Sequence, residues 1–327
     1  MVQTSDMPLL RLKGELRQVD VENEIEAIHE WLKKYSHRLP ILLGLVRRDI
    51  AKQSRPVYFT TFKTFDHLER ELGLVVRISK QVNFVVTSEI TLRQAPRTET
   101  GFLLAEHQRL FDESVKLLEK TFETLNLKVG EEVFIGGLDC MWKPTVWKYT
   151  TPIFDTPCNL YSLSWKSFLE KYGNLSDDNL NFDREKYELG QVLSTDLDLV
   201  LEHNKIKYDQ EYLLSCLEFS RCLRSKETGT LVAWSLTHDN YSISSLHALP
   251  STRRQGLATV VLTSWLHGLL QYYRENFDPD TVSIENRIFH STMEVWNEVS
   301  VNFFTRYGFQ PLSIVTWTMV SGRASQE

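Results

Sequence analysis

The chain has 327 residues, 42% of them apolar and 24% charged, which is ordinary globular usage and excludes a disordered or fibrous protein. That length suits two domains. A net charge of −6 argues against a surface built mainly for a polyphosphate backbone, while leaving room for a local basic site.

Met1 to Pro8 carries an acid at Asp6 and no apolar core after a basic segment. No secretory signal is expected from it, and the acid weakens a mitochondrial transit peptide. The expected location is intracellular, cytoplasm ahead of mitochondrion. Cys140, Cys158, Cys216 and Cys222 are widely spaced and form no C-x-x-C, so they read as reduced thiols. The longest apolar run, Ile41 to Val46, is far short of the ~20 residues that cross a bilayer. Neither a membrane nor a nucleic acid is expected as a partner.

Glu22 to Tyr35 places Ile25, Ile28, Trp31 and Leu32 on one helical face. Val57 to Thr61 and Leu74 to Ser88 alternate as strands do, with a turn at Lys80-Gln81. Ala105 to Leu125 predicts a long helix with an apolar stripe of Leu110, Val115, Leu117, Leu118 and Phe122. Ile135 to Thr151 reads as strand. Gly173 to Lys186 is polar, rich in turn formers and has one aromatic, so it reads as an exposed connector. Asp177, Asn179, Asn181, Asp183 and Glu188 fall at the spacing of a calcium loop, but Phe182 stands where Gly must make the turn. The boundary predicts domains 1–185 and 186–327.

Beyond it, Tyr187 to Leu193 predicts a strand and Ser194-Thr195-Asp196 a helix start. Helices follow over about Asp196 to His203 and Gln210 to Leu217. Ser220 to Arg224 and Leu231 to Leu236 read as a hairpin closed by Glu227-Thr228-Gly229. A strand from Tyr241 ends at Leu249, because Pro250 cannot donate to a ladder.

The next residues, Pro250-Ser-Thr-Arg253-Arg254-Gln255-Gly256-Leu257-Ala258-Thr259, lead into an apolar helix striped by Leu257, Val261, Trp265 and Leu269. A strand feeding a Gly turn at a helix start offers free N–H groups backed by the helix dipole, a setting that suits a pyrophosphate. An ordinary helix start with two solvated arginines is the plainer alternative.

Arg253-x-x-Gly256-x-Ala258 resembles the R/Q-x-x-G-x-G/A signature of the GNAT superfamily of acyl-CoA-dependent N-acyltransferases. Asn297, Ser300, Phe304, Tyr307 and Gly308-Phe309 are similar to its second signature. The resemblance covers about Tyr187 onward, and Leu231-Val-Ala-Trp-Ser-Leu with Leu249-Pro-x-x-Arg253 resembles the glycine N-acyltransferase-like branch. It implies an α+β GNAT fold, a mixed and mostly antiparallel twisted sheet flanked by helices, with a degenerate GNAT-like α+β half over residues 1–185. It also implies acetyl-CoA or another acyl-CoA as co-substrate and a small amine or amino acid as acceptor. The pantetheine would run along the strand holding Leu246 and Ala248, its pyrophosphate on the N–H groups of Arg254, Gln255, Gly256, Ala258 and Thr259. Arg253, Leu257, Asn297 and Phe304 complete the implied cofactor-binding set, and an N–H near Ala248 would hold the oxyanion.

Two positions depart from the family. The Tyr that protonates the leaving thiolate falls at Phe304, with Tyr307 one turn onward. The branch's basic Glu falls at Ser242. Glu294 and His247 are the other base candidates. The nine histidines show no ligand spacing, so no metal is expected. Three functions stay open: a small-molecule N-acyltransferase, a protein or peptide N-acetyltransferase, and a CoA-binding protein without catalysis. The oligomeric state is not legible.

Overall fold

The computed structural model describes residues 16–63, 65, 73–87, 105–125, 127–173, 177–206, 208–277 and 287–323. The expectations for Met1 to Pro8, for Ser88 and for 174–176 lie outside them, as does the Leu110 side chain. Packing divides the chain into two units. The first is 1–160 with 293–297 and 311–327, and the second is 161–292 with 298–310. The expected boundary after residue 185 therefore lies inside the second unit.

The elements of the first stretch are Arg17–Gln18 (β1), Val21–Lys34 (α1), Pro40–Lys52 (α2), Val57–Thr60 (β2), Gly73–Ile78 (β3), Val82–Thr87 (β4), Ala105–Leu125 (α3), Glu132–Asp139 (β5), Lys143–Tyr149 (α4) and Thr150–Ser164 (β6). They are followed by Trp165–Tyr172 (α5), Tyr187–Gly190 (β7), Leu197–His203 (α6), Gln210–Ser215 (α7), Arg221–Ser225 (β8), Leu231–Thr237 (β9), Ile243–Ala248 (β10), Leu257–Asn276 (α8), Ile288–Glu294 (β11), Glu298–Tyr307 (α9) and Gln310–Gly322 (β12). Among the described residues no helix is long and apolar enough to cross a membrane.

In the first unit the strand order is β1-β2-β3-β4-β5-β12-β6. All pairs from β1 to β4 are antiparallel, β4 and β5 run parallel, and β12 returns antiparallel to β5. The last strand of the chain thus completes the sheet of the first unit. α1 forms as its sequence predicts: Ile28, Trp31 and Leu32 are buried, acids fill its first turn and Lys33 and Lys34 its last, each complementing the helix dipole. α2 has no element assigned to it by sequence. Pro40 starts it, and every residue from Ile41 to Arg47 is buried, so no polar stripe marks its period. Its Asp49 is held by Arg77 in two contacts of 2.7 Å and by the Tyr58 hydroxyl at 2.5 Å, a buried charge with full partners.

The strand reading of Ile135 to Thr151 is corrected by α4. Pro144 cannot serve a ladder but suits a first helical turn, and Thr145 and Val146 bury the inner face.

The second unit orders its strands β11-β10-β9-β8-β7, antiparallel except for the parallel β10–β11 pair. Asp196, expected among the cap residues of α6, makes no side-chain cap bond to that helix and instead secures the turn before it. Its carboxylate accepts the Leu193 N–H at 2.8 Å and pairs with Arg224 at 2.6 Å. The segment read as an exposed connector is exposed at 177–179, Asn181 and 183–186, but it is pinned at its middle. Leu180 is buried and Phe182 joins it against Leu223, Val232, Leu257 and Val260. Arg184 donates to the carbonyls of Asp177 and Asp178, and Ser264 donates to the Asp177 carboxylate at 2.7 Å. Of the acids in the calcium-like spacing, Asp177 and Asp183 have protein partners, Asp183 pairing with Lys186 at 3.2 Å.

Candidate active site

β10 begins in register with β9, Ile243 opposite Thr237 and Ser244 opposite Leu236, then slips by one residue before His247 meets Trp234. The extra residue makes a bulge, and Ser245 sits in it at φ 49°. Asn204, just past α6, donates to the Ser245 hydroxyl at 3.3 Å. On the other edge β10 meets β11 in register at Ile243 and Ser291, and among the described residues no further pair follows. Ile243 and Ser244 are buried, while Ser245 to Ala248 are half-exposed. The two parallel strands separate at the bulge, leaving one edge of β10 open for hydrogen bonding.

The turn that follows is tied down at its base. Thr252 donates its N–H to Leu249 at 2.9 Å and its hydroxyl to Val232 at 3.1 Å, and Arg253 Nε donates to the Ala248 carbonyl at 3.2 Å. Arg254 at φ 64° and Gly256 at φ 79° then coil the backbone left-handed, the conformation of an anion-binding nest. The N–H groups of Thr259 and Val260 close on the Gly256 carbonyl at 2.9 and 3.1 Å. Thr259 is thereby engaged, whereas no acceptor among the described residues meets the N–H groups of Gly256, Leu257 and Ala258. A Cβ on Gly256 would meet nothing within 4 Å, so its face is open. Arg253, Arg254, Gln255 and Gly256 are exposed, and the Tyr187 hydroxyl donates to Gln255 at 3.1 Å. Behind the turn Leu257, Val260 and Val261 anchor α8, with Leu246 and Ala248 packed beside them.

The candidate catalytic residues do not converge. Ser242 is fully buried, and both its N–H and its hydroxyl donate to Asn240 Oδ1, at 3.0 and 2.7 Å. It stabilises the turn into β10 and is not placed as a base. Tyr307 is 4% exposed, its hydroxyl 2.8 Å from Thr263 Oγ1 and its ring stacked on Tyr172. Burial pushes its phenol well above the usual range. It packs α9 against α8, its hydroxyl engaged with Thr263. Phe304 is buried edge-on to Phe309 at 5.0 Å. Asn297 stands immediately before α9, its N–H on the Glu294 carbonyl at 2.9 Å. Glu294 ends β11, half-buried in the first unit, where its charge helps burial raise the Cys158 thiol to about 12.

His247 lies at the opening itself, two residues past the bulge. Its ring lies tilted against Trp234, centroids 4.8 Å apart, and stacks on His203 at 5.2 Å. Desolvation, then His203 and Arg253, lower its pKa to about 4, so the ring is neutral near pH 7. Its buried Nε2 has no hydrogen-bond partner among the described residues. The sequence reading missed Ser245, His203 and Asn204, since a bulge and its supports have no local signature.

The sequence model of the FR47-like protein family matches residues 222–277, the stretch from β8 through the bulged strand and the nest to α8. No curated protein matches the chain. Among solved structures, a Drosophila protein is similar at 15% identity over 94% of this chain and 99% of its own, with a TM-score of 0.62. A tandem GNAT protein from the clavulanic acid biosynthesis pathway aligns at 10% identity over 95% and 100%, TM-score 0.43. A GNAT-family acetyltransferase from Colwellia psychrerythraea aligns at 13% over 93% and 98%, TM-score 0.43. The Drosophila structure carries the likeness of fold, and the other two are too distant to add to it. The fold is α+β, a mixed sheet flanked by helices.

Proposed function

We propose that the protein is an acyl-CoA-dependent N-acyltransferase whose acceptor is an amino acid or another small amine. The observation that carries this reading is the exposed nest of Arg253 to Ala258, set directly after a bulged strand that parts from its parallel neighbour. An open strand edge suits the pantetheine amides, and free N–H groups just past two arginines suit the pyrophosphate. Transfer needs little more than position. The amine nitrogen attacks the thioester carbon, an N–C bond forms, the C–S bond breaks, and the electron pair leaves on sulfur as a thiolate. The ammonium proton passes to solvent water or to the neutral His247, whose lowered pKa makes it a weak base. Phe304 cannot protonate the thiolate, and Tyr307 is engaged elsewhere. A thiolate with a conjugate pKa near 8.5 leaves without that help, so transfer is slowed rather than lost.

A CoA-binding protein without catalysis is the second reading, favoured by the same two residues. A panel of acyl-CoAs against amino acids, arylalkylamines and peptides separates them, with thermal shift reporting binding and thiol release reporting turnover. Amide product from a small amine, absent in Gly256→Asp, supports the enzyme. Stabilisation by CoA with no product from any amine supports the second reading. A Gly256→Asp variant that stays folded and still binds CoA undiminished refutes both.

A further inference from the structure

We infer that Asn204 is a positioning residue for the pantetheine arm, holding the β10 bulge open through the Ser245 hydroxyl. The role rests on CoA as the ligand of this site, and supplies the group that fixes its open strand edge. Ser245 lies in the bulge at φ 49°. Left-handed backbone suits glycine and is disfavoured for serine, so the bulge persists only where its surroundings hold it. What holds it is a side-chain cluster. Asn204 Nδ2 donates to Ser245 Oγ at 3.3 Å, and Ser244 Oγ stands 3.3 Å from the same oxygen. A glycine would take the angle freely but would offer no hydroxyl to grip.

Asn204 can serve as an anchor because α6 is itself fixed. Leu197 and Val200 of that helix are buried in one cluster with Leu231, Trp234 and Leu236 of β9. The helix ends at His203, and Asn204 caps it in an extended conformation, φ −88° and ψ 127°, with its N–H on the Leu201 carbonyl at 3.4 Å. Two consecutive residues therefore meet β10 from one helix end: Asn204 at Ser245, and His203 against the ring of His247 at 5.2 Å. They bracket Leu246, which packs with Ala248 beside Leu257 and Val260. Were the bulge to relax into a regular ladder, the residues after it would change face and the open edge would be lost. Holding the bulge in advance spares the ligand that ordering. The gain falls on the pantetheine alone, because the pyrophosphate meets the nest and not this edge.

The test compares dissociation constants for CoA and for phospho-ADP, its nucleotide half, which carries the pyrophosphate without the pantetheine. Calorimetry on the full chain reads both. Asn204→Leu should weaken CoA about fivefold, the scale of one hydrogen bond, and move phospho-ADP by less than about twofold. Ser245→Ala should match it, and carries the test alone if Asn204→Leu fails to fold. The two together should lose no more than either alone, because a single contact is being removed. Adding Ser245→Gly to Asn204→Leu should recover most of the loss, since glycine takes φ 49° unaided. Gly256→Asp, at the nest, should weaken both ligands. Undiminished CoA binding in Asn204→Leu, equal loss for both ligands, or no recovery with glycine would overturn the positioning role and leave CoA as the ligand. An unaltered protein that binds neither ligand would overturn the CoA site and this role with it.

Discussion

The two parallel strand pairs, β4–β5 and β10–β11, sit in the same sequence of elements: a three-strand meander, a long helix, a parallel strand, a short helix. They open by opposite means. In the second unit the incoming strand β10 carries the bulge, at Ser245, while in the first β4 pairs with β3 residue for residue from Gly73–Thr87 to Ile78–Val82. There the irregularity is on β5, whose pairing with β12 slips between Leu138 and Ile135, across Gly136 and Gly137. A bulge re-aims the strand that holds it. Placed on β10, it opens an edge that continues into the nest; placed on β5, it borders a cavity of about 70 Å³ whose lining mixes Leu42 and Leu160 with Arg38, Asn83 and Asp139. The difference teaches that one architecture opens on different sides according to which strand takes the extra residue.

The largest effect that sharpens this comparison should come from removing β12. Val315, Thr316, Thr318 and Val320 are buried in the first unit, paired with β5. A chain ending at Phe309 should lose the cooperative unfolding transition of the first unit, read by circular dichroism in urea. A transition of unchanged midpoint would show that the first unit does not need its last strand.

Alanine at the two strained glycines should come next, with opposite readouts. Gly137→Ala meets Ile41 as well as an unfavourable φ, and should cost about 1–3 kcal/mol while leaving CoA-dependent thermal shift intact. Gly256→Ala meets only the φ penalty, about 1 kcal/mol, yet should weaken CoA binding by crowding the nest. Reversal of that pattern would break the assignment of the nest.

Smaller is the pH response. His247 and His238 are both lowered to about 4 by desolvation, below the usual 6.5. Between those values the unfolded chain binds protons that the folded chain refuses, so stability is full above pH 6.5 and falls as pH drops toward 4. Urea midpoints should fall through that window, and less steeply in His247→Gln. The smallest change is Tyr307→Phe. Losing the Thr263 contact should cost about 0.5–1.5 kcal/mol with turnover unchanged, whereas a tenfold loss of rate would return Tyr307 to the chemistry.

What the sequence made legible was local. The stripe of α1, the β8–β9 hairpin and the Gly256 turn each carry their signal within a dozen residues, so element and site could be read together. α2 was illegible because a helix buried on every side has no period, and α4 because Val146, Trp147 and Tyr149 have strand-like chemistry that Pro144 overrides. The Phe304 departure was readable, but the burial of Tyr307 depends on Thr263 and Tyr172, both distant in the chain. The partner of β12 was beyond reach for the same reason. Nothing in Leu312 to Val320 says which sheet it will join.

That last strand also sets a clock. Thr316 reaches Asp155 across 161 residues of chain and Thr318 reaches Phe154 across 164. At about 5–20 residues per second, the strand that fills the first sheet emerges roughly ten to thirty seconds after its partner β5. For that interval β5 presents a nascent edge of unpaired backbone groups, the kind that invites pairing with another chain. Non-local closure of this kind is slow even after synthesis, so the newborn chain is most exposed to misassembly in the unit made first.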